Sequence, residues 1–208
     1  MLDSRLTFLA HFGYVRERAS KVSRALGRLM PNLCGPTEHK RRLYANVVAS
    51  SVLYGAPIWS AALDVTRKGK QILRDIQRGI AQRVCSAYQT VSLDAALLLA
   101  RSPPYVLVAS MRRSIQERIW DLREAGPIPA EVVRDIRQEE SLLMHQQWFL
   151  YLRREDVAGV CTCDAIMPHV DAWMSRSHGG LHIHMVQILT GHECFATYLH
   201  RIGKLEDK

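Results

Sequence analysis

Apolar side chains recur every three or four residues along most of the chain, which is the spacing of one helix face. Clusters of proline, glycine and asparagine separate these runs. The pattern predicts an all-α fold, an irregular multi-helix bundle. The predicted helices cover residues 14–30, a run from 36 to the break at 55–57, about 65–87, 93–100, a run from 103 or 104 to 124, and 130 to about 154.

Two regions after the last long helix are less regular. Residues 156–164 are predicted to form a loop, and residues 167–175 a short turn around Trp173. Leu181–Leu189 fits two patterns, because alternate residues are apolar as in a strand while other apolar residues recur at helical spacing. The helical neighbours favour a helix. Phe195, Tyr198, Leu199 and Ile202 are predicted to end the ordered chain.

The sharpest interruption lies in Tyr54-Gly-Ala-Pro-Ile-Trp59. Pro57 lacks the N–H group that would continue a helix, so the preceding helix must stop or bend here. The segment is predicted to form the structural core, with Tyr54 and Trp59 largely buried around the bend. The core prediction comprises Tyr54, Gly55, Pro57 and Trp59. The apolar face predicted to lead through the bend comprises Leu43, Val47, Val48, Ser51, Tyr54 and Ile58.

Gly126-Pro-Ile-Pro129 is the clearest linker in the chain. It predicts a division into a first helical domain at residues 14–125 and a C-terminal helical subdomain at residues 130–203. Residues 204–208 are predicted to be a frayed tail. Ser92 is predicted to cap the N-terminus of the helix that begins at Leu93.

Positive charge is concentrated in the first half. Residues 1–90 hold 15 Lys and Arg against 5 Asp and Glu, whereas residues 91–208 hold 13 against 15. This asymmetry favours a polyanionic partner for the first half, although a solvated, soluble surface gives the same count. The candidate nucleic-acid-binding residues recur at helical spacing or adjoin a helix start. They are Lys21, Arg24, Arg28, Lys40, Arg41, Arg42, Arg67, Lys70, Arg74 and Arg78.

Motifs for catalysis or metal binding are weak. Cys161, Cys163 and four histidines between residues 169 and 184 do not have the Cys and His spacings of a structural zinc site. We therefore expect no bound metal. The pairs Glu139-Glu140 and Glu155-Asp156 are expected to be solvated, and no Asp-Asp pair occurs. No catalytic residue is assigned.

The remaining sequence features bear on compartment. No segment has the order of a signal peptide, and no apolar run approaches the roughly 18 residues that span a bilayer. The odd number of cysteines, 5, fits reduced thiols better than a disulfide framework. We expect an intracellular protein with no membrane partner.

Four blocks, in order, resemble the region after the polymerase domain in reverse transcriptases of jockey-like, insect-type non-LTR retrotransposons. The blocks are Leu2–Phe8, Leu43–Leu63, Ala87–Ala100 with Pro103 and Pro104, and Leu189–Gly203. Within that resemblance, residues 1–13 would be a remnant of the end of the palm. Residues 14–125 would correspond to the basic thumb, and residues 130–203 to the helical linker that precedes the family's Cys/His knuckle.

The resemblance implies a non-catalytic fragment of an RNA-directed DNA polymerase that grips the template–primer duplex through its phosphate backbone. The implied partners are an RNA–DNA or DNA duplex, bound by the basic half, and the rest of the reverse transcriptase. Mg²⁺ is expected only in the palm of the parent polymerase, so this chain alone is predicted to be inactive. The implied location is nuclear and cytoplasmic. The alternatives are a stand-alone helical protein-interaction module and, more remotely, a zinc-dependent enzyme.

Overall fold

The computed structural model describes residues 7–29, 35–124, 126–177 and 179–192. Within these ranges the chain is helical and has no β-strand, which confirms the all-α prediction. A 3₁₀ turn spans Met167–His169. The helices are α1 (Leu9–Leu29), α2 (Glu38–Val52), α3 (Ala56–Val65), α4 (Arg67–Val84), α5 (Leu93–Ala100), α6 (Tyr105–Glu124), α7 (Ala130–Leu152), α8 (Val160–Ile166), α9 (Val170–Ser175) and α10 (Ile183–Thr190).

Helix α5 lies at the centre of the fold. Its sequence is apolar on all sides apart from Asp94, and such a helix is stable only when other elements cover it. Helices α4 and α8 pack against it, and every residue of α5 except Leu93 is buried. Ser92 accepts a hydrogen bond from the backbone N–H of Ala95 at 3.2 Å, which confirms the predicted N-cap.

The predicted break divides α2 from α3, whose axes differ by 79°. Gly55 adopts a φ of 64°, a left-handed conformation that glycine reaches without strain. Pro57 lies in the first turn of α3, where a helix has no use for a proline's missing N–H group. The break therefore ends one helix and starts another.

Trp59 is buried as predicted, with 2% of its surface exposed. Its indole N–H donates to the Tyr54 carbonyl at 2.9 Å, and Phe12 meets the ring edge-on with 5.5 Å between centroids. The prediction that Tyr54 is buried is wrong, because 81% of that side chain is exposed. The indole therefore uses the backbone of Tyr54 and leaves its phenol in solvent.

The predicted apolar face of α2 is also wrong, except at Val48, which is buried. Leu43, Val47 and, beyond the bend, Ile58 are exposed, and Ser51 is half-buried. The buried face is rotated around the helix, shares only Val48 with the predicted face, and consists of Glu38, Arg41, Val48 and Val52. Two of those four residues are charged, so a pattern of apolar residues could not mark that face.

Helices α6 and α7 form a hairpin whose connection contains the predicted linker at residues 126–129. Arg118 donates to Glu140 at 3.0 Å and to Glu139 at 2.8 Å across the hairpin. The expectation that both glutamates are solvated is wrong for Glu140, which is buried. The apolar periodicity of the two predicted helices places Leu122 and Leu143 on the core side, and this prediction is wrong, because both side chains are exposed.

The C-terminal helices pack onto the same hydrophobic core as α1 to α5, so the linker does not separate two cores. The division into two subdomains stays a prediction. The predicted loop at residues 156–164 is partly wrong, because α8 begins at Val160, while the preference for a helix near residues 181–189 is confirmed by α10. Residues 1–6 of the palm remnant, the last predicted apolar residues at 195–202 and the tail at 204–208 lie outside the described residues.

Among the described helices, none alone has the length and hydropathy needed to cross a bilayer. Helices α2 and α3 meet that criterion only when counted together, across their bend.

Candidate nucleic-acid interface

The basic residues of α4 lie beside its buried face. The apolar periodicity of this helix predicts that Ile72, Leu73, Ile76, Ile80 and Val84 face the core, and in the structure all are buried except Ile76, which is partly buried. The neighbouring side of the helix carries a basic row, here called the α4 stripe, in which Lys70 is half-buried and the others are exposed. The α4 stripe consists of Arg67, Lys70, Arg74 and Arg78.

The second half of the α4 stripe is engaged with the α4–α5 connection. Arg78 donates to the carbonyls of Gln89 at 3.0 Å and Val91 at 3.3 Å. Arg74 lies close enough to Asp94 to lower the pKa of that carboxyl, against the larger effect of burial, which raises it. Arg74 and Arg78 thus interact with other parts of the fold. Arg67 and Lys70, in contrast, have no side-chain hydrogen bond or ion pair with any described residue.

The basic residues of α1 face directly away from the core. Phe12, Val15 and Ala19 are buried on one side of α1. Lys21, Arg24 and Arg28, here called the α1 stripe, are exposed on the opposite side.

Two members of the α1 stripe have local partners. Lys21 is 2.7 Å from Glu17 on the same face, so that its charge is locally balanced. Arg24 donates to the Ser20 carbonyl within the helix at 3.3 Å. Arg28 has no carboxylate partner among the described residues.

The three basic residues at the start of α2 have different environments. Lys40 is exposed and Arg42 is half-buried. Arg41 is only 3% exposed, and it donates to the carbonyls of Pro36 at 2.7 Å and Arg83 at 3.0 Å. Burial lowers the pKa of this guanidinium. Arg41, a candidate nucleic-acid-binding residue, is therefore not on the surface, because it ties α2 to the end of α4.

Sequence reasoning missed an ion-pair cluster around Glu38, here called the Glu38 cluster. The Glu38 side chain is 4% exposed and lies 3.3 Å from Arg101, 3.2 Å from Arg176 and 3.9 Å from Arg42. The local sign of this cluster in the sequence is an acidic residue in the first turn of α2, two residues before the basic run Lys40–Arg42. Arg101 and Arg176 reach it from 63 and 138 residues away, which no local pattern reveals.

The cysteines and histidines considered as zinc ligands do not form a metal site in the described part of the chain. Cys161 is exposed and Cys163 is buried, and burial raises the pKa of the Cys163 thiol to about 11. The rings of His182 and His184 are 5.2 Å apart. No group of three or more potential ligands comes together among the described residues.

The chain is similar to one curated protein of a mobile element. It is 28% identical over 205 residues to the putative 115 kDa protein in type-1 retrotransposable element R1DM of Drosophila melanogaster. This chain is distantly related to an R1 non-LTR retrotransposon protein. The match covers 94% of the chain but only 20% of the relative's length. No protein-family model and no solved structure matches the chain.

Proposed function

We propose that this chain is the thumb and helical linker of a non-LTR retrotransposon reverse transcriptase, and that it grips the template–primer duplex through its phosphates. The distant relation to an R1 protein supports the parentage. The observation that carries the gripping role is the outward-facing basic residues of α1 and α4. Phosphate contacts position a protein on a duplex without reading bases, so the binding would not depend on sequence.

The proposed role needs no cofactor bound by this chain. Mg²⁺ would be held by the palm of the parent polymerase, where nucleotide addition takes place. The partners would be the duplex and the rest of that polymerase, in the nucleus and the cytoplasm. A synthesising polymerase meets an RNA–DNA hybrid, so we expect hybrid duplex to bind at least as well as B-form DNA.

The test is the salt dependence of binding, measured by fluorescence anisotropy on both duplexes. We expect weak binding at physiological salt, with a Kd of about 10⁻⁴ to 10⁻⁶ M. The double variant Arg67→Gln with Lys70→Gln should flatten the log–log salt slope on B-form DNA by about 1.8, or about 0.9 for each phosphate that is no longer neutralised. These two positions are chosen because, unlike those of Arg74 and Arg78, their side chains make no hydrogen bond or ion pair with any described residue.

The matched control changes Arg134 and Arg137 to Gln. Both side chains are exposed on α7, so this variant removes the same charge from the other half of the chain. Its slope should equal that of the unaltered protein. If the α4 variant also keeps that slope on both duplexes, the α4 stripe is a solvated surface and the gripping role fails.

A second candidate function, docking to another protein, is favoured by the exposed apolar residues near the α2–α3 bend. Tyr14, Val47 and Tyr54 are all more than half exposed. Together with His11 and Arg18 they line a cleft of about 540 Å³ between α1 and α2. The partner that fits the proposed parentage is the polymerase part of the same parent protein.

The docking function is tested with Val47→Ser and Tyr54→Ser combined. Because both side chains are exposed, the melting temperature should change little. Affinity for the separately produced polymerase part, measured by analytical ultracentrifugation, should fall by at least about tenfold. Leu150→Ser, at an exposed position of α7, is the control and should leave affinity unchanged. Equal affinity of all three proteins would rule out this surface.

A further inference from the structure

A second basic site lies away from both stripes, around the Glu38 cluster. A cleft of about 680 Å³ opens between the start of α2, the residue that ends α5, and the segment before α10. Ligand sites in proteins commonly have volumes of about 300–1,000 Å³. The cleft is lined by three arginines, one glutamate and a backbone segment, namely Arg42, Arg101, Arg176, Glu38, Gly179 and Gly180.

Both oxygens of the Glu38 carboxylate already accept hydrogen bonds within the fold. Oε1 accepts from Arg101 and Arg176, and Oε2 accepts from Arg176 and from the backbone N–H of Leu181 at 2.7 Å. Arg42 is 3.9 Å from this carboxylate, beyond hydrogen-bonding distance. One negative charge is therefore shared among three guanidinium groups, leaving two positive charges in excess.

Among the described residues, some of the guanidinium donors at the cleft have no hydrogen-bond partner. Arg101 directs one nitrogen to the Arg176 carbonyl at 2.6 Å, but its buried Nε has no partner in the described part of the chain. Burial, and then repulsion by Arg101, lowers the pKa of Arg42. Arg176 is held in place by stacking, with its guanidinium 3.7 Å from the centre of the Trp173 ring. The guanidinium groups are thus fixed close together although they repel one another.

We propose that this cleft binds a phosphate group, with Arg42 and Arg176 contacting its oxygens and Glu38 holding Arg101 and Arg176 in position. Guanidinium groups match phosphate oxygens with paired donors, and a phosphate removes the excess positive charge. The N-terminus of α2 adds to the attraction for an anion, because the Thr37 side chain does not cap its free N–H groups. The site is independent of the α4 stripe.

The first test uses the unaltered protein and inorganic phosphate. Backbone amide signals are followed by ¹⁵N NMR while phosphate replaces chloride at constant ionic strength. The amides of Gly179 and Gly180 should shift with a saturable dependence on phosphate, and those of Gly13 and Gly79, on other parts of the surface, should not. Shifts that are absent, or that rise linearly at all glycines alike, would overturn the proposal.

The second test compares two substitutions in α2. Arg42→Gln removes the guanidinium least involved in holding the fold, and we expect it to raise the Kd for phosphate by about tenfold or more, the usual effect of losing a hydrogen bond between charged groups. Lys40→Gln removes an equal charge from an exposed neighbour outside the cleft and should keep the original Kd. Circular dichroism verifies that both variants are folded. Equal Kd values for all three proteins would overturn the proposal.

The third test identifies the source of the phosphate with hybrid duplexes that carry a 5′-phosphate or a 5′-hydroxyl. If Arg42→Gln weakens only the phosphorylated duplex, the ligand is a terminal phosphate. If it weakens both duplexes, the ligand is an internal backbone phosphate, and if it weakens neither, a small phosphate compound. The α4 variant should keep full affinity for inorganic phosphate, so failure of the gripping role and failure of this site are distinguishable.

Discussion

Trp59→Ala should be among the most destabilising substitutions in the chain. A buried tryptophan removes about 150–250 Å² from water, which at about 25 cal/mol per Å² is an upper estimate of about 4–6 kcal/mol. Measured losses for replacing a buried Phe or Trp by Ala are about 3–5 kcal/mol. We expect about 4 kcal/mol here, since the Trp59 ring is nearly inaccessible and is packed edge-on by Phe12.

Two control variants separate the contributions to this loss. Trp59→Phe keeps an aromatic ring against Phe12 but removes the donor to the Tyr54 carbonyl, and it should cost about 1–2 kcal/mol. Tyr54→Ala removes an exposed ring and keeps that carbonyl, so it should change the free energy of unfolding by less than about 0.5 kcal/mol.

The assay is urea unfolding followed by far-UV circular dichroism, because the chain has 4 tryptophans and fluorescence would not report Trp59 alone. For a chain of this size, each kcal/mol corresponds to about 2–4 °C in melting temperature. Trp59→Ala should therefore lower it by about 8–16 °C. If this variant unfolds at the same urea concentration as the unaltered protein, or if Tyr54→Ala costs as much, the indole of Trp59 does not stabilise the core as described.

Two further predictions concern buried ionisable groups. Glu38→Gln should lower the free energy of unfolding by about 3 kcal/mol in urea, because it removes the buried partner of several guanidinium groups, while Glu139→Gln, at an exposed carboxylate, should change it little. Iodoacetamide at pH 8 should label exposed Cys161 but not Cys85 in peptide mapping by mass spectrometry, because burial raises the pKa of the Cys85 thiol to about 12. The folded-state pKa lies above the value of about 8.5 in an unfolded chain, so this thiol's contribution to stability should be lost as pH rises from about 9 to about 12. Labelling of Cys85 at pH 8 would contradict its burial.

The sequence predicted best those elements whose buried face is uniformly apolar. Helix α4 was recovered to within a few residues, because an apolar row repeats along its whole length. Helix α5 was recovered with its bounds and its cap, since Ser92 stands directly before an apolar run that ends near two prolines. Local chemistry determines both elements, so local reasoning was sufficient.

The wrong predictions concern residues whose burial depends on contacts with distant parts of the chain. The predicted apolar face extended one helical periodicity across the bend at Gly55. Helices α2 and α3 meet there at 79° and cannot share one apolar face. Burial of Arg41 depends on a carbonyl at Arg83. Burial of Glu140 reflects a partner on the preceding helix. The phosphate-binding cleft was equally beyond local reasoning, because its arginines come from α2, the end of α5 and the segment after α9.

The Glu38 cluster also has a consequence for the order of events during synthesis. Arg176 follows Glu38 by 138 residues, and ribosomes add about 5–20 residues per second. About 7–28 s therefore pass between the synthesis of Glu38 and that of its partner Arg176. For part of that interval α5 has been made but lacks α8, one of the helices that cover it. A nascent chain that has not reached α8 exposes apolar surface on α5 and can pair Glu38 with Arg101 but not with Arg176, and premature termination before α8 would make the condition permanent.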